Sequence, residues 1–550
     1  MKNKKRRDYN VFFNTHTVTG ITISVALYVC FLAGGFALFM DNIDNWERNL
    51  KNDAHTPNID YEKVLKVTEN TGYNLDRRTI FIRRVNSRQP HISVFSNAAP
   101  TQVVDSTIGS EATPELDTIA NANITLRLHP VTYEIMKGDA DLKIESLGRF
   151  LYQLHFFGQI PNFGVFLSGL VSLFFLFAIV TGTIVHWKKI ISNFFTLRLK
   201  SSLKNLWTDA HTALGIIGLP FQFMYALTGA FFGMALFIFL PITTLIYKGD
   251  QNAMTNDILP LRMVNQELSN EKLAQRADIN ELIGATINHF GTKDMEKLNV
   301  GIYGYNDKNA SLNINVTKHR LDHINSFGFR TYRLSDGALL DFKEIDRNTF
   351  NEGFLNTFVN LHFASFGGYF LKFIYFILTL LTCFVILSGV MIWLEARSTK
   401  KYEFKKKFNT NVGSVYLGSC LGLLPTIALS FCMIKVFPFE MENRFGTIST
   451  VFFLFWLGYT LYAFFLKDFH KINKHALLLT GLLGLLVPVL NGLQSGLWPW
   501  NSLTRGYIDS FFIDVSWFFL GMISLWVGLK VKRLVAHKEQ KEWNKVTVYS

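Results

Sequence analysis

A chain of 550 residues with 49 % hydrophobic content, 52 Phe and a formal net charge of +13 has the composition of a membrane protein rather than of a large soluble enzyme. The basic residues sit in short loops between apolar spans, so the charge is a topology signal and nucleic acid is excluded as the partner. The four cysteines (Cys30, Cys383, Cys420, Cys432) lie in or beside apolar spans, which suits packing rather than disulfides or thiolate metal sites.

In chain order, residues 1–40 read as a cytoplasmic tail and a first span. Its apolar run, Thr19 to Met40, is full-length, so it stays as an anchor and is not a cleaved signal. Residues 41–147 read as a hydrophilic α+β module, 148–187 as a second span around Phe163 to Val185, and 188–209 as a cytoplasmic loop. The third span, 210–247, contains a charge-free run from Thr212 to Tyr247 that is too long for one crossing; Pro220 and Pro241 are expected to bend it or end it early. A second module occupies 248–353, a fourth span 354–395 and a loop 396–408. Residues 409–530 hold four more spans, about Val412 to Ile434, Thr447 to Leu466, Ala476 to Asn491 and Phe511 to Leu529, before a tail at 531–550. Asp514 blurs the boundary of the last. With eight spans, every basic loop and both chain ends fall on one side, which the positive-inside rule makes the cytoplasm. Both hydrophilic modules are then outside.

Each module opens with helix-like sequence, Tyr61 to Val67 and Glu271 to Arg276. Each closes on strand-and-turn patterns, Ile124 to Glu134 and Gly328 to Leu339. Low-complexity polar sequence around Ser96 to Thr118 reads as an exposed loop.

The two halves of residues 10–397 repeat each other. Leu154-His155-Phe156 and Leu361-His362-Phe363 are each followed, 27 positions after the histidine, by a glycine behind a small hydroxyl residue, Thr181-Gly182 and Ser388-Gly389. His16-Thr-Val-Thr-Gly20 matches His211-Thr-Ala-Leu-Gly215, and Gly34 and Gly229 each fall 18 residues after their histidine. The expected fold is therefore a multi-pass α-helical membrane protein. Duplicated helix–α+β–helix units form a four-helix bundle, and four C-terminal transmembrane helices are added to it.

Five histidines lie at span ends: His16, His155, His186, His211 and His362. The repeat pairs His155 with His362 on the outer side and His16 with His211 on the inner side; His186 has no counterpart, because Trp393 takes its place. Two symmetry-related histidines on facing helices can supply both axial ligands of one haem iron, so two haems are expected, one near each face. His186 is an alternative inner ligand or a residue near the haem edge. Flanking glycines, among them Gly34, Gly182, Gly229 and Gly389, would let a flat macrocycle approach the backbone, although close helix packing also uses glycine.

These Leu-His-Phe helices, His-x-x-x-Gly helix starts and inserted α+β modules together resemble the PepSY-associated transmembrane helix family, over about Asn10 to Arg397. The resemblance implies haem b, periplasmic PepSY modules and residence in a bacterial inner membrane. It also implies reduction of imported ferric chelates such as ferric siderophores. The implied iron ligands are His16, His155, His211 and His362. The four helices after Phe408 depart from the shortest members. Trp456, Trp498, Trp500 and Trp517 among them suit an interfacial aromatic belt.

Other motifs carry less. His319 and His323, four apart, lack an evident third metal ligand. Arg77, Arg78, Arg83, Arg84 and Arg88 could attract an anionic chelate, but a solvated strand edge is the expectation. No flavin or NAD(P) motif occurs, so a reductase needs quinol or a cytoplasmic reductase as electron donor. The rival functions are a periplasmic protease-regulating or binding protein without redox activity, and a transporter.

Overall fold

The computed structural model describes residues 2–51, 59–85, 92–96, 122–135, 146–187, 190–195, 198, 202–258, 267–292, 295–318, 327–345, 347, 349–398, 404–439 and 441–532. The elements are α1 (Lys2–Ala37), α2 (Met40–Glu47), α3 (Tyr61–Asn70), β1 (Ile80–Val85), β2 (Ile92–Ser96), β3 (Ile124–Leu128), α4 (Leu147–His155), α5 (Gly164–His186), α6 (Leu203–Gly233) and α7 (Ala235–Leu245). They continue with α8 (Ile279–Phe290), β4 (Met295–Tyr303), β5 (Ser311–Lys318), β6 (Phe327–Arg333), β7 (Leu339–Lys343), α9 (Phe350–Phe363) and α10 (Gly368–Ala396). The last four are α11 (Lys406–Val436), α12 (Arg444–Leu466), α13 (Phe469–Ser495) and α14 (Ile508–Lys530). Short helical pieces cover Ile190–Phe194, Gln251–Ile258 and Pro499–Ser502.

Eight of the helices, α1, α5, α6, α10 and α11 to α14, are long and apolar enough to cross a membrane. The protein is a multi-pass membrane protein. The first four close into a ring in which α1 and α6 each pack against both α5 and α10. Helices α1 and α6 are therefore diagonal to each other across the bundle, as are α5 and α10. The last four pack in the order α12–α11–α13–α14, with α11 against α1 and α10 and α14 against α2.

The long apolar run after Thr212 breaks at Met234, between α6 and α7. Pro220 lies inside α6 and Pro241 inside α7, so of the two expected effects, bending or early termination, neither proline is itself the point where a helix ends. Two short helices, α4 and α9, precede α5 and α10 and carry His155 and His362 in their last turns. Ser146 caps α4 by accepting from the Arg149 amide, and Thr349 and Glu352 form a capping box on α9. The chain leaves α9 through Ala364 and Gly368, both at positive φ, a turn that uncouples the direction of the histidine helix from that of the span.

Strands from the two hydrophilic segments share one antiparallel sheet of order β3-β2-β1-β4-β5-β6-β7. Strand β1 pairs with β4 at its centre, Ile82 opposite Val300. Period-two alternation gives the sheet two unlike faces. Ile82, Val94, Leu126, Val300 and Ile314 form an apolar core with Val64 and Leu65 of α3 and Ile279 and Ile283 of α8. Residues 271–276 are not helical; the helix of that segment is α8, which Asp278 caps. Strand β1 is internal, so Arg83 is not on a strand edge, and Arg78 is buried with its Nη1 donating to the Ala122 carbonyl. Arg88, the His319–His323 pair and nearly all of the Ser96 to Thr118 stretch lie outside the described residues.

Candidate cofactor site

Helix α1 carries His16, and its diagonal partner α6 carries His211. Their ring centroids are 6.1 Å apart with planes at 69°. At the other end, His155 closing α4 and His362 closing α9 have centroids 5.9 Å apart and planes at 49°. Four of the five sequence-selected histidines thus meet two by two. His186 ends α5, the same helix that His16 contacts.

Each ring is held by its Nδ1. His16 Nδ1 is 2.8 Å from the Ala178 carbonyl, His155 Nδ1 2.6 Å from the Cys30 carbonyl and His211 Nδ1 2.9 Å from the Val385 carbonyl. A carbonyl only accepts, so Nδ1 is the protonated nitrogen in all three. For His362 the partner is Thr228 Oγ1 at 2.8 Å. That hydroxyl already donates to the Met224 carbonyl, so here too Nδ1 donates. All four Nε2 atoms are left with a free lone pair. This is the arrangement by which proteins prepare an imidazole for a metal, one ring N–H on a backbone or hydroxyl oxygen and the other nitrogen facing the ion.

The spacing fits a shared metal. A metal–imidazole bond of about 2.0 Å on either side of one ion puts the two ring centroids roughly 6.3 Å apart, close to both observed separations. Among the described residues no group of three His, Cys, Asp or Glu could hold an ion. A two-donor site does not satisfy tetrahedral zinc, but it suits an iron whose other ligands come from a macrocycle.

Space is provided by glycine. A Cβ on Gly34 would stand 2.6 Å from His155 Nδ1, one on Gly182 2.9 Å from His16 Cε1 and one on Gly389 3.3 Å from His211 Cε1. The α5 and α6 backbones touch at Gly169 and Gly233. Around the His155–His362 pair lies a cavity of about 290 Å³, lined in part by Phe31, Gly34, Phe175, Phe232 and Gly233. Haem fits this donor set: the cavity flanks the imidazole pair, and its walls are apolar and small.

Sequence reading missed Thr228 and Tyr225, and it marked Ser388 as part of the repeat without seeing that it meets His211. Ser388 Oγ lies 3.1 Å from His211 Nδ1, and Tyr225 donates from its hydroxyl to the His362 carbonyl at 2.8 Å. A signal was there: a hydroxyl residue precedes Gly182, Gly229 and Gly389 alike. The tryptophans of the C-terminal unit divide. Trp500 is exposed, but Trp517 is buried and stacks on Phe36 of α1 at 5.6 Å, so it is core and not part of an interfacial belt.

An uncharacterized protein of Pseudomonas aeruginosa, PA4219, is 23 % identical to this chain over 384 residues, which is 67 % of this chain and 92 % of its own length. The PepSY-associated TM region family matches residues 13–396, which takes in both histidine pairs and the whole sheet, and the chain belongs to that family.

Proposed function

We propose that this protein is a di-haem b electron-transfer protein of the bacterial inner membrane that reduces a ferric chelate, most simply a ferric siderophore, on the periplasmic side. The observation that carries this reading is the pair of imidazole couples, each with Nδ1 committed to an oxygen and Nε2 free, at a separation suited to one iron. Bound haem supplies one-electron chemistry. His16 with His211 and His155 with His362 would hold it, one couple near each membrane face. The Nδ1 bonds fix the ring orientations and raise the basicity of the ligating nitrogens.

Duplication of a helix–module–helix unit supports the symmetry. His16 and Gly34 recur 195 positions later as His211 and Gly229; His155, Ala178 and Gly182 recur 207 positions later as His362, Val385 and Gly389. Both inner histidines bond the carbonyl four residues before their glycine. Loop charge puts both chain termini and the His16–His211 couple on the cytoplasmic side, and the sheet in the periplasm. Electrons then enter from quinol or a cytoplasmic reductase and leave beneath the sheet. Reduction weakens a chelate of hard oxygen donors, because Fe(II) is the poorer partner for them.

Purified protein should show a Soret band that shifts on dithionite reduction and a pyridine haemochrome of haem b at two per chain. The reduced protein should be reoxidised by a ferric siderophore. Replacing His362 by alanine should leave one haem. A folded, colourless preparation rejects the proposal.

A further inference from the structure

The face of the sheet opposite its apolar core carries a polar row that the histidine sites do not use. Residues directly opposite each other in antiparallel strands share a face. The pairings Arg127–Ser93, Ser93–Arg83, Arg83–Asn299, Asn299–Asn315, Asn315–Phe329 and Phe329–Lys343 therefore place those seven residues in one line across all seven strands. The line is turned toward the membrane spans. At one end Arg127 Nη2 lies 3.6 Å from Asp44 of α2, and at the other Lys343 Nζ lies 3.2 Å from Glu352 of α9. Helix α2 follows span α1 directly, and α9 carries His362 in its last turn. From Glu352 to His362 is about 15 Å of helix, so the row stands one short helix above the outer imidazole couple.

The stretch of this row from Arg127 to Asn299 is incomplete. Arg83 Nε, Arg127 Nε and Arg127 Nη1 are buried donors without a hydrogen-bond partner, and Asn299 Oδ1 is a buried acceptor without one. Native proteins seldom leave such groups unmatched, and a buried orphan costs about 1–3 kcal/mol. Asp44 does not resolve the shortage, because its one approach to Arg127 is longer than a hydrogen bond and its own Oδ1 is also unpartnered. Strands lie about 4.8 Å apart, so the Arg127 and Arg83 backbones are roughly 10 Å apart, with Asn299 one strand beyond Arg83. Two guanidinium groups at that spacing suit two carboxylates of one small molecule. An orphan amide oxygen beside them needs a hydroxyl or N–H donor.

We infer that this face of the sheet binds a small hydroxy-polycarboxylate anion, with Arg83 and Arg127 holding its carboxylates and Asn299 Oδ1 accepting from its hydroxyl. The inference is independent of haem, since it rests on the sheet alone. If the outer couple does carry haem, the same surface is where a carboxylate-rich ferric chelate docks above it.

The test is isothermal titration of the full chain in detergent with citrate and with tricarballylate, which is citrate without the hydroxyl. Wild type should bind citrate saturably and more tightly than tricarballylate. Arg83→Gln and Arg127→Gln should each weaken citrate at least tenfold. Asn299→Leu should abolish the preference for citrate while keeping tricarballylate binding. Arg127→Lys guards against a folding effect of losing the charge beside Asp44; it should also weaken binding, because an ammonium lacks the fork. Arg330→Gln, on the opposite face opposite Ile314, should leave affinity unchanged. Absence of saturable citrate binding, wild-type affinity in Arg83→Gln, or an equal loss in Arg330→Gln overturns the assignment. The haemochrome of the same samples reports separately on the haem reading.

Discussion

A methyl group added to Gly34 tests the outer couple without touching either histidine. The new Cβ would lie 2.6 Å from His155 Nδ1 and 2.9 Å from its Cε1, against 3.4 Å for ordinary contact. The ring must retreat by about 0.8 Å, and that displacement stretches and weakens the bond to the Cys30 carbonyl it now meets at 2.6 Å. Loss of such an orienting bond typically lowers metal affinity about 10–100-fold. Alanine is the better helix former by roughly 1 kcal/mol, so helix destabilisation cannot account for a loss. Gly20→Ala in the same helix is the control, since nothing lies within 4 Å of its added Cβ. Gly182→Ala should give a milder defect at the inner couple, where the approach to His16 is 2.9 Å. The assay is haemin titration of haem-depleted protein, followed by the Soret band, with haemochrome stoichiometry and far-UV circular dichroism on each variant. Unchanged affinity for both haems in Gly34→Ala, or an equal loss in Gly20→Ala, refutes the geometry.

Thr228→Val removes the acceptor that fixes the His362 tautomer and should lower outer-site affinity about 10–100-fold, whereas Ser388→Ala leaves His211 its Val385 carbonyl and should cost less; the same titration compares them. Burial pushes Asp44 up to about 7, a rise that Glu47 adds to and Arg127 only partly offsets. Because the folded protein keeps that proton between about pH 4 and 7 while the unfolded chain releases it, stability from this group is full below about pH 4 and falls as pH rises through 7. The loss is roughly 4 kcal/mol in all. Asp44→Asn should therefore gain on wild type as pH rises from 4 to 8 in denaturant unfolding, and parallel pH profiles would contradict this. Arg444 Nη1 donates to Glu47 Oε1 at 2.7 Å with both side chains buried, so Arg444→Leu should cost about 3–5 kcal/mol. Adding Glu47→Gln should restore much of it, as judged by thermal unfolding in detergent; a double variant no better than the single would place the cost elsewhere.

The membrane architecture was legible because the bilayer enforces it: a charge-free run such as Phe163 to Val185 has few other uses. The histidine pairing was legible because similar motifs, Leu154-His155-Phe156 with Leu361-His362-Phe363 and His16-x-x-x-Gly20 with His211-x-x-x-Gly215, occur once in each half. The single shared sheet was not. Alternation marks β3 and β6 as strands but says nothing about which edge meets which, and the β1–β4 pairing that joins the two segments spans more than 200 positions. Arg83 was misplaced for that reason, since an edge strand and a central strand read alike in one dimension. Thr228 was overlooked because a threonine in an apolar helix usually bonds its own preceding turn; this one does so with Met224 and also accepts from His362.

The C-terminal helices, which the sequence left without a role, are tied through α2 to the helix that carries His155. Six consecutive residues of that helix, Asn42 to Glu47, are buried. Asn42 and Asn45 donate to the two oxygens of Asp509 at the start of α14. Trp46 Nε1 donates to Asp514, which also accepts from Asn491 of α13. Lys435 of α11 donates to the Trp46 and Glu47 carbonyls, placing a cation where the α2 dipole is negative. On its other side α2 accepts the Leu147 amide at Glu47 and packs Met40 and Asp44 against Gly148, both at the start of α4. Helix α4 is nine residues long and ends at His155. A rigid helix of that length transmits the position of its first turn to its last, so whatever fixes α2 also fixes the imidazole. An apolar scaffold would hold α2 with less desolvation, but apolar contacts tolerate sliding. Directional bonds to Asp509, Asp514 and Arg444 set one register, and in a site where a displacement of about 1 Å matters, register is what the surrounding structure has to supply.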